Sequence, residues 1–148
     1  RRVGAVREVS GRAFGSDTAP LEYGLAARIE EVYRESGIEA PSPGEVAVLL
    51  GAKEKAVEGL VRFLVDQKRL ARVGGKWVLH RRHLDAMAAS LLEWDREVFD
   101  VGQFKDRFAL TRKLAIPILE WLDSERVTRR EGDRRRIVRR HAGTPTRD

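Results

Sequence analysis

Between Leu21 and Gln67 the apolar positions keep a helical period. Leu25, Ile29, Val32 and Tyr33 fall at i, i+4, i+7 and i+8, one face of an amphipathic helix that stops near Gly37. After the loop EAPSP, Ser42-Pro-Gly-Glu45 has the spacing of a capping box with proline at the first helical position, which opens a short helix through Leu50 that Gly51 closes. Val57, Leu60, Val61 and Leu64 then define a third helix from about Lys53 to Gln67. Beyond it the period changes: LARV and KWVL are short apolar-rich runs separated by Gly74-Gly75, the turn chemistry of a two-stranded hairpin.

The same order recurs. Leu84, Met87, Ala88, Leu91 and Leu92 mark a helix, Asp100-Val-Gly-Gln103 is box-like and opens a short helix carrying Phe104 and Phe108, and Leu114, Ile118, Trp121 and Leu122 mark another. Sliding the chain by 57 positions lays Asp66, Arg69, Arg72 and Gly75 on Asp123, Arg126, Arg129 and Gly132. Two copies of helix, helix, helix and hairpin in tandem are expected. A third helix running straight into a hairpin is the layout of the winged helix, a helix-turn-helix variant. The fold class is therefore mainly α with small β-hairpins, an α+β arrangement of two tandem winged-helix domains.

In the second copy the hairpin is VTRREGDRRRIVRR, residues 127 to 140. Glu131-Gly132-Asp133 supplies a turn, and Val127 with one of Ile137 or Val138 is expected to pin the strands to the core. Tails seldom carry apolar residues at strand spacing, so the segment reads as a folded wing. Pro117 is the misfit: it lies inside the helix from Arg112 to about Glu125, where it removes a backbone hydrogen bond and should kink the axis.

Charge sharpens the contrast between the copies. Lys and Arg number 29 against 23 for Asp and Glu, a formal net charge of +6, and 23 of the basic residues are Arg. The guanidinium fork suits phosphate and base edges better than an ammonium does, so the bias points to a polyanionic partner, although a GC-rich genome would also raise Arg. The first hairpin carries only Arg72 and Lys76, whereas Arg126 to Arg140 holds eight Arg against Glu131 and Asp133. Thr111-Arg112-Lys113 adds a cap position and two cations to the first turn of the preceding helix, where free backbone N–H groups also favour phosphate.

Other chemistries lack their residues. There is no Cys, so neither a disulfide framework nor a thiolate metal site exists, as suits a reducing cytoplasm. The longest apolar runs, such as Val46 to Leu50, are too short to span a bilayer, and no membrane partner is expected. His80 and His83 stand without a convergent carboxylate cluster, so no metal and no cofactor are expected. No acid pair or nucleophile suggests catalysis, and Gly74-Gly75-Lys76 is followed by Trp77, which does not make a P-loop. The chain is read as a non-enzyme. Its opening residues look like the exit of something earlier, so it is expected to be part of a larger protein.

The stretch FKDRFALTRKLAIPILEWLDSERVTRREGDRRRIV, Phe104 to Val138, closely resembles the last winged-helix unit of the SelB family, the bacterial selenocysteine-specific translation elongation factors. The matching elements are the T-R-K-x-x-I-P-I-L-E helix, odd proline included, and the T-R-R-x-G-D-x-R wing. Weaker likeness extends over about residues 21 to 140. In that family a GTPase body carries selenocysteyl-tRNA, while the terminal winged helices hold the mRNA hairpin (SECIS) that recodes UGA. The resemblance implies that Arg112, Lys113, Arg129, Arg130, Arg134 and Arg136 lie at the hairpin-binding surface, and Arg135, within the same run, is taken with them. It implies an mRNA hairpin as direct partner, the ribosome as a partner through the full-length factor, a monomer, and a cytoplasmic setting. The expected organisation is an exit segment or linker over 1–20, a scaffold or spacer winged helix over 21–82, an RNA-binding winged helix over 83–141, and a flexible tail over 142–148.

A double-stranded DNA-binding winged-helix regulator is the alternative, and a winged helix that binds an acidic protein is a third. A DNA reader lays its recognition helix along a major groove, whereas A-form RNA is read through phosphates and unstacked loop bases. Positions Leu114 to Leu119 are mostly apolar, leaving few side chains to read base edges along a groove. That favours RNA.

Overall fold

The computed structural model describes residues 18–139. The expected exit segment up to residue 17, Arg140, His141 and the tail over 142–148 lie outside the described residues. The chain divides into two compact units, one taking the residues up to Arg72 together with Trp77–His83, the other Val73–Lys76 together with the residues from Leu84.

The first unit is built from α1 (Thr18–Ser36), α2 (Pro43–Leu50), α3 (Glu54–Asp66), β1 (Leu70–Val73) and β2 (Trp77–His80). α1 begins three residues before the start read from its apolar period. Ser42 and Glu45 form the reciprocal capping box on α2, and Gly51 ends that helix in the left-handed region at φ 66°. Ile29 and Tyr33 of α1 meet Val46 and Ala47 of α2, Val57, Val61 and Leu64 of α3, and Leu70 and Val78 of the hairpin in one buried cluster.

The second unit comprises α4 (Arg81–Leu92) from Leu84 onward, β3 (Val98–Asp100), α5 (Val101–Phe108), α6 (Arg112–Ser124), β4 (Thr128–Glu131) and β5 (Arg134–Ile137). Asp100 and Gln103 cap α5 reciprocally, and Thr111 caps α6 by accepting from the Leu114 N–H at 3.4 Å. Phe99 and Phe104 stack at 5.8 Å between ring centres and are fully buried beside Leu114, Ala115, Ile118, Leu119 and Leu122. The segment after α4 is held by two guanidiniums. Arg139 donates to the carbonyls of Leu92, Trp94 and Arg96 at 2.6, 2.6 and 2.9 Å, and Arg107 donates to the Ser90 carbonyl at 2.9 Å. Arg139 thereby ties the end of α4 to the segment that leads into β3.

The structure changes two features of the sequence reading. First, the second wing is three-stranded, in the order β3-β5-β4. Val98, Phe99 and Asp100 pair with Arg136, Arg135 and Arg134, so β5 is the central strand. Where the first unit approaches α2, Ala40, Pro41 and Ser42 stand in place of such a strand, and Pro41 has no amide donor for a ladder.

Second, the repeat has a different register. α2 and α5 begin at Pro43 and Val101, α3 and α6 at Glu54 and Arg112, and β1 and β4 at Leu70 and Thr128, each 58 apart; β2 and β5 begin 57 apart, at Trp77 and Arg134. The extra residue lies in the first hairpin's turn. In this register the buried Val57, Val61 and Leu64 lie on the buried Ala115, Leu119 and Leu122, and the positive-φ residues Gly51 and Lys68 on Ala109 and Arg126. A shift of 57 matches the Arg and Gly of the hairpins but slides the helices by one residue, a rotation of about 100° about the helix axis.

Candidate nucleic-acid interface

The outward side of α6 is short of polar side chains. Leu114, Ala115, Ile118 and Leu119 are buried, which leaves Arg112 and Lys113 exposed on the first turn and Glu120 a little more than two turns on. Pro117 lies within the helix without ending it. Because proline carries no N–H, the Lys113 carbonyl lacks its usual i+4 donor beside the two cations.

Strand alternation divides the wing arginines between two faces. β4 and β5 place Thr128 opposite Ile137, Arg129 opposite Arg136, Arg130 opposite Arg135 and Glu131 opposite Arg134. Thr128 and Ile137 are buried, and therefore so is the parity that includes Arg135. Arg135 departs from the expected surface role. Its side chain is 5% exposed and donates to Asp123 Oδ2 of α6 from Nε at 3.2 Å and from Nη2 at 2.9 Å. Asp123 Oδ1 also accepts from the Thr128 hydroxyl at 2.5 Å. Strand parity held the signal: Ile137 is the apolar anchor, and the residue two positions before it must point the same way. The anchoring pair is thus Thr128 with Ile137, not Val127 with Ile137 or Val138.

Arg112 and Arg130 come together. They line a cleft of about 390 Å³ between the start of α6 and the wing, with Ile116 and Glu120 of α6, Gly102 of α5 and Asp133 of the turn. The Asp100 carboxylate at its edge accepts from the Gln103 N–H at 2.8 Å, so that charge serves the α5 cap. Arg130 also donates to the Gly132 carbonyl at 2.9 Å, which draws its side chain along the turn.

The other face carries Arg129, Glu131, Arg134 and Arg136. Glu131 Oε2 accepts from Arg129 Nη2 at 3.0 Å and from Arg136 Nε at 2.8 Å, and Arg136 also reaches Glu97 at 3.4 Å. Hydrogen bonds from Arg136 first and Arg129 second hold the Glu131 carboxyl below its ordinary range, and the bond to Glu131 raises the Arg136 guanidinium. Arg112, Lys113, Arg126 and Arg134 make no side-chain hydrogen bond or ion pair among the described residues. The sequence reading missed Glu131, Asp123, Glu97 and Arg139 as the residues that occupy guanidiniums or, in the case of Arg139, stabilise a loop. Glu97 and Arg139 act over more than 40 positions of chain or nearly so, a separation that carries no periodic signal.

Both histidines of the first unit are engaged. His80 Nε2 lies 3.0 Å from Glu30 and its Nδ1 accepts from the Arg82 N–H at 3.0 Å, while His83 Nε2 lies 2.8 Å from the Arg34 carbonyl. Glu30 also accepts from Arg69 at 2.8 Å and Arg34 at 3.2 Å. Among the described residues no group of three or more potential ligands could hold a metal ion, and no helix is long and apolar enough to cross a membrane.

Residues 91–137, which span the wing, α5 and α6, match the family model described as "Elongation factor SelB, winged helix". This segment is similar to the winged helix of SelB. The match covers β3, the strand that local sequence did not reveal. Among curated proteins, the chain is 30% identical over 119 residues to the selenocysteine-specific elongation factor of Desulfomicrobium baculatum, an alignment that takes in 79% of this chain and 19% of that protein. The chain thus spans about a fifth of that SelB-type relative. Among solved structures, the mRNA-binding domain of Escherichia coli SelB, determined in complex with SECIS RNA, is similar with a TM-score of 0.68 and 22% identity over 80% of this chain and 97% of that one. A bacterial selenocysteine-specific elongation factor, EF-Sec, is similar with a TM-score of 0.65 and 24% identity over 84% of this chain and 20% of that chain. At these identities the structural likenesses establish the shared fold.

Proposed function

We propose that the chain is the RNA-binding region of a selenocysteine-specific elongation factor and that its second unit grips an mRNA stem-loop of the SECIS kind to support recoding of UGA. The observation that carries this reading is the convergence of the α6 start and the wing, Arg112 with Arg130 across the cleft, inside the segment that matches the SelB winged helix. The structural relative whose domain was solved with SECIS RNA supports the same partner.

Arg112, Lys113, Arg130 and Arg134 serve as the direct contacts, with Arg129 and Arg136 flanking them and Arg135, in the wall of the cleft, fixing the wing to α6. The first unit acts as a spacer. GTP hydrolysis, tRNA delivery and ribosome contact belong to the remainder of a longer factor, which works as a monomer in the cytoplasm. The buried middle of α6 supports a loop-reading mode over a groove-reading one, because Ile116 and Glu120 offer little to a row of base edges.

The test is selection from a pool of hairpins with randomised loops, followed by filter binding of the winner, its loop mutant and a duplex DNA of equal charge. A consensus loop bound more tightly than the other two is expected. Equal affinity for all three would show a generic anion surface, and a preference for the duplex would favour a DNA-binding regulator.

A further inference from the structure

Two guanidiniums on neighbouring strands converge on a single carboxylate oxygen at the outer face of the wing. Arg129 and Arg136 are register partners across β4 and β5, and like charges directly opposite one another in a sheet repel. Glu131 removes that repulsion by accepting from both at 3.0 and 2.8 Å through Oε2. A guanidinium fork closing on an oxyanion is also how arginine holds phosphate. The site is open to solvent, since the side chains of Arg129, Glu131 and Arg136 are 64, 35 and 37% exposed.

We propose that Glu131 occupies, in the free protein, the place of an RNA phosphate between Arg129 and Arg136, and so acts as a built-in competitor that tempers the wing's affinity for polyanions. An incoming phosphate must displace the carboxylate before either arginine counts toward binding. Arg112 and Lys113, which carry no such partner, make the first contact, and Arg129 with Arg136 engage only when the RNA backbone lies along the outer face, which also carries Arg134. The inference rests on the RNA-binding reading but not on recognition of any particular hairpin.

The test uses the whole 148-residue chain and two probes: a 12-nucleotide poly(U) as generic polyanion, and a hairpin selected from a loop-randomised pool. Glu131→Gln keeps the side chain's size and is expected to raise poly(U) affinity about threefold or more, the range of two exposed ion pairs released. Asp106→Asn on α5 makes the same change in net charge away from the wing and is expected to raise it less than half as much. The decisive comparison is Arg129→Gln/Arg136→Gln in both backgrounds: a smaller fold loss of affinity with Glu131 present than when Gln stands at 131, where the whole gain is lost.

Equal gains from Glu131→Gln and Asp106→Asn, or equal losses from the arginine pair in the two backgrounds, would overturn the proposal. So would weaker binding by Glu131→Gln, which would make the acid a support of the wing. Variants that show this coupling on poly(U), with a wild-type chain that does not distinguish the selected hairpin from its loop mutant, would leave the competitor in place and remove the stem-loop reading instead.

Discussion

Arg135, on the central strand of the wing, donates from two nitrogens to one carboxylate oxygen of Asp123, in the last turn of α6. In the first unit the corresponding positions are Val65 and Val78, which belong to one apolar cluster, and Leu70 takes the place of Thr128. The second unit has replaced an apolar contact by an ion pair that joins the two halves of the proposed interface. Arg135→Ala is expected to cost roughly 2 to 4 kcal/mol, toward the lower end for a buried pair because Asp123 is 24% exposed. Asp123→Val/Thr128→Leu/Arg135→Val, the first unit's own solution, is expected to recover most of that. Urea unfolding of the three chains checks it; a triple variant weaker than the single one would refute the equivalence.

The unpaired cations set the salt response. Each phosphate neutralised releases a counterion, so about five contacts give a log–log slope near −4 at about 0.7 to 0.9 per contact. Arg134→Ala is expected to reduce the magnitude of that slope by about one contact and to weaken the selected and loop-mutant hairpins alike. At least one of Arg112→Ala and Lys113→Ala should instead cost roughly 1 to 3 kcal/mol on the selected loop and little on the mutant. Titrations at four salt concentrations decide both points.

Pro117 trades stability for the shape of a helix start. Pro117→Ala restores an N–H for the Lys113 carbonyl and relieves the ring's pressure on that turn, so stability is expected to rise by about 1 to 3 kcal/mol. The first turn moves as it does so, and affinity for the selected hairpin is expected to fall. A variant with both properties unchanged would make the proline incidental.

Acid should loosen the first unit through Glu30 and His80. Burial pushes the His80 pKa down and outweighs the Glu30 contact, and its Nδ1, which accepts the Arg82 N–H, has no room for a second proton. Burial works to raise the Glu30 pKa, but hydrogen bonds from Arg69 and His80 hold it below its ordinary value. Both folded values lie under their unfolded ones. The His80 contribution is complete above about pH 6.5 and is lost as pH falls below that; the Glu30 contribution is complete above about 4.5 and is lost as pH falls further. Urea midpoints from pH 8 to 4 are expected to decline from about 6.5 downward, and His80→Gln should remove the first part of the decline.

The helices and their starts were legible because their causes are local. A box such as Ser42 with Glu45, or Asp100 with Gln103, is written within four residues, and a stripe such as Val57, Val61 and Leu64 within eight. β3 was not legible: its three residues make a strand only because β5, more than 30 positions away, offers an edge. The basic surface was visible as a concentration of Arg, but not its internal division. Arg129, Arg135 and Arg139 look alike in a run, yet one meets Glu131, one meets Asp123 of α6, and one ties down three carbonyls at and just after the end of α4.

With β3 on one edge and β4 on the other, β5 has no free side along which to bend. Its arginines therefore stand on backbone that is ordered before any RNA arrives. The ordering cost of association then falls on arginine side chains alone, about 0.5 to 1.5 kcal/mol for each one immobilised, rather than on a loop that must first fold. Encounter with such a wing is a matter of long-range attraction and orientation, and residence time is set by how many guanidiniums must let go at once.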